Sequence, residues 1–232
     1  MIFRKMKTLH TLWVALTLLC LMASCADGPT PAVDTKQKLL GNWHLISVQN
    51  FTSKYTFISL QSNGNCFYSS SAVVDEHSNL LFWSYNKNNT FRLYSNSDAE
   101  NYSFTLEFAV NDDLILTQGN SVCIYRRYQN ERDLEMPYRV MGFWQLADAA
   151  DAGLQPCAYL ELDYNGQGRA YDADLIQWAT FTWQADYESV TLRFDQQGGN
   201  LTLSAAVDEK GQLKCSSTDG HLMGSYNRCQ GF

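Results

Sequence analysis

Basic residues, histidine, proline and membrane-length apolar runs are all scarce in this 232-residue chain, and each scarcity narrows what it can be. Seventeen Lys and Arg stand against 24 Asp and Glu, a formal charge of −7, so charge alone will not hold it on nucleic acid or an anionic bilayer. Only four prolines accompany 45% hydrophobic and 13% aromatic residues, which excludes a disordered chain and suits a β-rich globular one. The apolar run TLWVALTLLCLM, Thr11 to Met22, has twelve residues. A helix needs about 20 to cross the ~30 Å hydrocarbon core. No CxxC pair occurs, none of His44, His77 and His221 has a second histidine at ligand spacing, and no Ser, His and Asp cluster stands out. Metal, cofactor and nucleophilic chemistry are therefore not expected.

What is present begins at the N-terminus. MIFRKMK carries Arg4, Lys5 and Lys7 ahead of the apolar run, the pattern of a secretory signal. Its end, Met22-Ala23-Ser24-Cys25, resembles the lipobox of bacterial lipoproteins, with Met22 at the position usually held by Leu and Leu21 beside it. The resemblance implies that residues 1–24 are a signal peptide and that Cys25 becomes the acylated N-terminus. It also implies a protein held in the cell envelope, on the outer membrane, by its N-terminal lipid. Residues 25–37 then form anchor and tether, polar and carrying two prolines. Losing 1–24 removes three basic residues and no acid, which leaves a net charge of −10. Five cysteines remain beyond Cys25, an odd number. Disulfides such as Cys66–Cys123, with one pair among Cys157, Cys215 and Cys229, and buried free thiols are equally open readings.

Gly41-Asn-Trp43-His-Leu45 and Gly142-Phe-Trp144-Gln-Leu146 repeat Gly-x-Trp-x-Leu at an offset of 101 residues. Ile58-Ser-Leu60 before Asn63-Gly64 matches Leu160-Glu-Leu162 before Asn165-Gly166, and Trp83 matches Trp183. Ala109-Val110-Asn111 matches Ala206-Val207-Asp208, and Tyr125-Arg126-Arg127 matches Tyr226-Asn227-Arg228. The chain reads as an internal duplication. Its halves are residues 38–128 and 140–232, joined by a charged linker, 129–139, that contains Pro137.

Within each half the apolar period is two. Ala179, Phe181 and Trp183 alternate with polar residues, as do Val190, Leu192 and Phe194, or Phe104, Leu106 and Phe108. Asn-Gly and similar turn signals punctuate the runs. Strands are expected to begin near 42, 54, 65, 80, 90, 102, 113 and 121 in the first half. About eight strands per half can close on themselves, so the predicted fold is all-β: two tandem small antiparallel up-and-down barrels.

The first-strand Gly-x-Trp, the strand count and the basic residue of the last strand resemble the calycin superfamily. They are most similar to the short lipocalin-like domains of Bacteroidetes lipoproteins. That resemblance implies that Gly41, Trp43 and Arg127 close one barrel and Gly142, Trp144 and Arg228 the other, each arginine lying over its indole. The second lipocalin motif, Thr-Asp-x-x-Tyr, is missing, so a deep ligand cup is not implied.

Trp83, Tyr85, Phe181 and Trp183 fall on mid-chain strands and face inward; they would touch an apolar ligand in a hollow barrel, or form core in a filled one. Trp178 and Tyr171 are less constrained and suit an open rim. Asp163 to Asp174 matches parts of a calcium loop, yet strands on both flanks make a hairpin turn the better reading. Glu161 and Asp163 alternate outward, and nothing in the sequence supplies the aromatic-walled cleft that a glycosidase pair needs. The expected function is a non-enzymatic binding or interaction module. The alternatives are a carrier of a small apolar ligand, then an accessory subunit docked to an envelope protein partner; an enzyme comes last.

Overall fold

The period-two runs become strands. The computed structural model describes residues 34–86, 88–97, 99–149, 157–196 and 199–229. The signal peptide, Cys25, most of the tether and the Asp151–Gly153 loop lie outside the described residues. In the first half β1 (Gly41–Gln49), β2 (Phe57–Leu60), β3 (Asn65–Ser69), β4 (Asn79–Tyr85), β5 (Thr90–Tyr94), β6 (Asn101–Phe108), β7 (Leu114–Gln118) and β8 (Ser121–Tyr128) pair in order. In the second, β9 (Gly142–Ala149), β10 (Tyr159–Leu162), β11 (Gln167–Tyr171), β12 (Gln177–Ala185), β13 (Val190–Gln196), β14 (Gly199–Val207), β15 (Leu213–Ser217) and β16 (Leu222–Cys229) do the same. β1 pairs antiparallel with both β2 and β8, and β9 with both β10 and β16, so each half is a closed barrel with no free edge. The fold is all-β, two tandem eight-stranded barrels.

The duplication persists at the level of single hydrogen bonds. The Trp83 amide donates to the Gly64 carbonyl and the Trp183 amide to Gly166, both at 2.8 Å. The indole N–H of Trp83 donates to the Gln61 carbonyl at 2.9 Å, and that of Trp183 to the equivalent Asp163 carbonyl at 3.1 Å. Gly64 and Gly166 take φ of +91° and +76° in the tight turns that make this possible.

Three stretches differ from their sequence reading. The tether already turns helical at α1 (Thr35–Leu39), and the linker holds a 3₁₀ turn (Glu131–Asp133) and α2 (Met136–Val140). Leu39 and Val140, their last residues, are 101 apart, so these helices belong to the repeat. Five residues make less than two helical turns, too few for a 3.6-residue period to show. Pro137 opens α2 rather than ending a linker, since its missing N–H costs nothing in a first turn. The second strand also starts at Phe57 instead of near 54, because Ser53–Tyr55 coils into a 3₁₀ turn that buries the Tyr55 ring.

The barrels pack on each other. β2 is buried along its whole length. Ile58 and Leu60 enter the core of the first barrel, while Phe57 joins Ala72 and Tyr128 in the core that holds Val140, Met141 and Trp144 of the second. His44, on the face opposite Trp43, is 5% exposed, with the Tyr138 ring 4.3 Å and the Tyr128 ring 5.9 Å from its own.

Candidate functional site

At the closed end of each barrel a glycine starts the first strand at positive φ, +116° for Gly41 and +121° for Gly142. The indole N–H of Trp43 donates to the carbonyl of Leu39 and that of Trp144 to Val140, each at 2.8 Å, so each tryptophan hangs from the last residue of its short helix. The guanidinium of Arg127 lies 4.2 Å from the Trp43 ring and that of Arg228 lies 4.3 Å from the Trp144 ring. Arg127 also donates to the Leu40 carbonyl. Arg228 donates to the carbonyls of Met141 (2.7 Å) and Arg139 (2.5 Å), and to Ser71 Oγ of the other barrel at 2.9 Å. A Cβ on Gly41 would meet Arg127 Nη1 at 2.7 Å, and one on Gly142 would meet Ser71 Cβ at 2.7 Å. In each half, glycine, tryptophan and arginine thus pack together at the start of the first strand.

Inside the barrels the described core side chains are closely packed. A void large enough for water would leave accessible area on its walls. Yet Trp83 is 3% exposed, Phe181 2% and Trp183 8%, and their neighbours Phe91, Leu93 and Leu192 are at 0 or 1%. Trp83 stacks on Phe91 at 6.0 Å, and Phe181 packs tilted against Phe194 at 4.6 Å. Tyr85 reaches the surface, where its hydroxyl donates to Asn89 Oδ1 at 2.8 Å. The four residues read as lining a hollow barrel, or as core, are thus core in three cases and barrel rim in the fourth. Trp178, 46% exposed, does lie open beside Phe194. The buried Cys66, Cys123, Cys157 and Cys215 and the half-buried Cys229 are free thiols. Burial pushes the Cys123 thiol up to about 12, far from a reactive thiolate.

Between the barrels lies a cleft of about 920 Å³. Lys54, Tyr68, Ser69, Ser70 and Asn79 line it from the first barrel, and Glu161, Asp163, Tyr164, Arg169 and Tyr171 from the second. This corrects the sequence reading that denied Glu161 and Asp163 an aromatic-walled cleft. Alternation sends both acids outward, as read, but the outer face of β10 looks across at the other barrel. Tyr171 is part of this wall rather than of an open rim.

Arg169 organises the floor. It faces Glu161 across the β10–β11 hairpin, donates through Nε to Glu161 Oε2 at 2.8 Å, and its Nη2 lies 3.0 Å from Asp163 Oδ2. The Tyr171 hydroxyl donates to the same Glu161 oxygen at 2.6 Å. Burial alone would raise the Glu161 carboxyl, but these hydrogen bonds outweigh it and hold it below its ordinary range. Burial and then the Glu161 charge push Asp163 up, against the pull of Arg169. The two acids are driven apart, yet both are tied to one arginine. That fixes them as acceptors for a ligand's hydroxyl or amine groups more readily than it frees a proton donor. The calcium-loop stretch is a hairpin turn whose Asn165 Oδ1 accepts from the Gln167 amide at 3.0 Å, and no group of three metal-ligating side chains occurs among the described residues.

The sequence reading missed Lys54, Tyr68, Asn79, Tyr164 and Arg169. Only Arg169 had a legible signal, since an Asn-Gly hairpin centred near 165 sets it opposite Glu161. No family model matches the chain, and neither a curated protein nor a solved structure matches it.

Proposed function

We propose that this chain is a lipid-anchored, lipocalin-like protein of the bacterial cell envelope that acts as a non-enzymatic binding module, with its ligand held between two solid barrels. The lipobox at Met22–Cys25 supports the anchor on the outer membrane. The observation that carries the binding reading is the cleft of about 920 Å³, whose fixed carboxylates come from the second half and whose tyrosine rings come from both. Ligand sites of roughly 300–1,000 Å³ with a few convergent polar groups are the usual form of a binding pocket. Near-zero exposure inside the barrels argues against carriage of an apolar molecule there.

Two measurements test this on protein purified from its own cells. Mass spectrometry of the N-terminal peptide should show an acylated Cys25, and Cys25→Ser should release the protein from membranes. Native mass spectrometry should show a bound species that Arg169→Met removes. An unmodified Cys25 sinks the anchor. A bound species that survives Arg169→Met but leaves with Trp178→Ala would move binding to the rim of the second barrel. An envelope protein partner retained by both variants would favour the accessory-subunit reading.

A further inference from the structure

We propose that the inter-barrel cleft is a saccharide site, taking a short run of neutral sugar units; this rests on the binding reading above and names its ligand class. Among the described residues, Lys54 is paired with Glu100, Arg169 is shared by Glu161 and Asp163, and His77 stands 4.0 Å from Glu76, so each basic side chain lining the cleft already faces a carboxylate. A phosphate, sulfate or uronate would meet the repulsion of these carboxylates, with no uncommitted Lys or Arg lining the cleft among the described residues. An apolar ligand fares no better, because Ser69, Ser70, Asn79 and the two carboxylates would lose water without gaining partners.

A neutral polyol meets neither obstacle. Its hydroxyl groups both donate and accept, which matches the hydroxyls of Ser69 and Ser70 and the amide of Asn79. Pairs of hydroxyls can donate to a carboxylate as charge-assisted hydrogen bonds, and Arg169 and Tyr171 hold Glu161 in place before any ligand arrives. The C–H face of a sugar ring is apolar and flat enough to lie on a tyrosine. Tyr68 on one wall and Tyr164 and Tyr171 on the other offer such rings, all partly exposed. A groove of about 920 Å³, open to solvent rather than enclosed, suits an extended chain of several units over a single small molecule.

Isothermal titration with neutral hexasaccharides tests this on the protein lacking its signal peptide. The probes are β-linked and α-linked glucose hexamers and the hexamer of N-acetylglucosamine, with hexagalacturonate as the anionic comparator. At least one neutral hexamer should bind saturably and hexagalacturonate should not. Tyr68→Ala and Glu161→Gln should each weaken that binding about tenfold or more, the loss of one such contact, while Trp178→Ala leaves it unchanged. Amide chemical shifts of the unaltered protein provide a readout that no variant's misfolding can confuse: Asn79 and Tyr171 should move on titration and Trp178 should not. Absence of saturable binding by every neutral hexamer up to about 10 mM, tighter binding of hexagalacturonate, or shifts confined to Trp178 overturns the proposal. A peptide or protein captured in the cleft would also overturn the sugar assignment while leaving the binding module standing. An unacylated Cys25 would leave the sugar assignment standing and remove only the anchor.

Discussion

Trp43 and Trp144 carry the same bond from an indole to a helix-end carbonyl, but their arginines do not work in the same surroundings. Arg127 covers the first indole and holds the Leu40 carbonyl. Arg228 covers the second, satisfies two carbonyls, and crosses to Ser71 of the other barrel. Arg228→Lys should lower the melting temperature more than Arg127→Lys, because Arg228 is the more buried of the two and its planar fork, which lysine cannot reproduce, crosses to Ser71 of the other barrel. Equal losses in the two variants would show that the crossing bond to Ser71 is idle. Trp43→Ala removes a side chain with no exposed area and should cost about 3–5 kcal/mol. An unchanged melting curve would end the idea of a structural plug. The glycines rank similarly. Gly41→Ala presses a flexible guanidinium tip, whereas Gly142→Ala presses Ser71 Cβ at 2.7 Å and its Cα at 3.1 Å, so the second should be the more damaging in a thermal melt.

At the scale of the element, alternation explains most strands and close approach explains one glycine. Gly168 on β11 pairs with Phe181 on β12, and a Cβ there would lie 2.2 Å from the Phe181 ring and 2.8 Å from the Glu161 carbonyl oxygen. The ring lies across β11 because nothing projects from it. Gly168→Val should break the β10–β11–β12 pairing and with it the Glu161–Arg169 floor of the cleft. Loss of the second barrel's aromatic near-ultraviolet signal, together with any ligand bound in the cleft, is the expected outcome. A native-like spectrum would show that Phe181 has another place to go.

For the whole molecule, the barrel seam makes a pH dependence. Burial, then the nearby Arg126 charge, lowers His44 from 6.5 to about 4, and its Nδ1 has no partner in the seam. The unfolded chain takes up this proton as pH falls through 6.5, but the folded one does not until about 4. Stability is therefore full above 6.5 and declines between 6.5 and 4, by about 3 kcal/mol from this one group. Denaturant titrations at pH 7 and pH 4 check this, and His44→Phe should flatten the difference by replacing imidazole with a ring that fits between Tyr128 and Tyr138. A slope unchanged in His44→Phe would assign the effect to the carboxylates instead. The same seam predicts that residues 34–130 alone would expose Phe57, Ala72 and Tyr128, and would associate or melt below the full chain.

Duplication, closure into eight strands per half and the inward or outward sense of residues such as Leu160, Glu161 and Phe181 were legible in the sequence, because a strand's period of two is a local property. The pairing of Trp43 with Arg127 was expected only from the resemblance to lipocalin-like domains, and the structure places the guanidinium 4.2 Å from the indole. What lies outside a barrel has no such local signature. His44, Phe57 and Glu161 all point outward, and nothing in their neighbours' spacing says that a second barrel waits there. Only the packing of one closed sheet on another decided that His44 is buried and that Glu161 faces Tyr68 across a cleft, since residues roughly a hundred positions apart meet there through side chains and not through any backbone pattern.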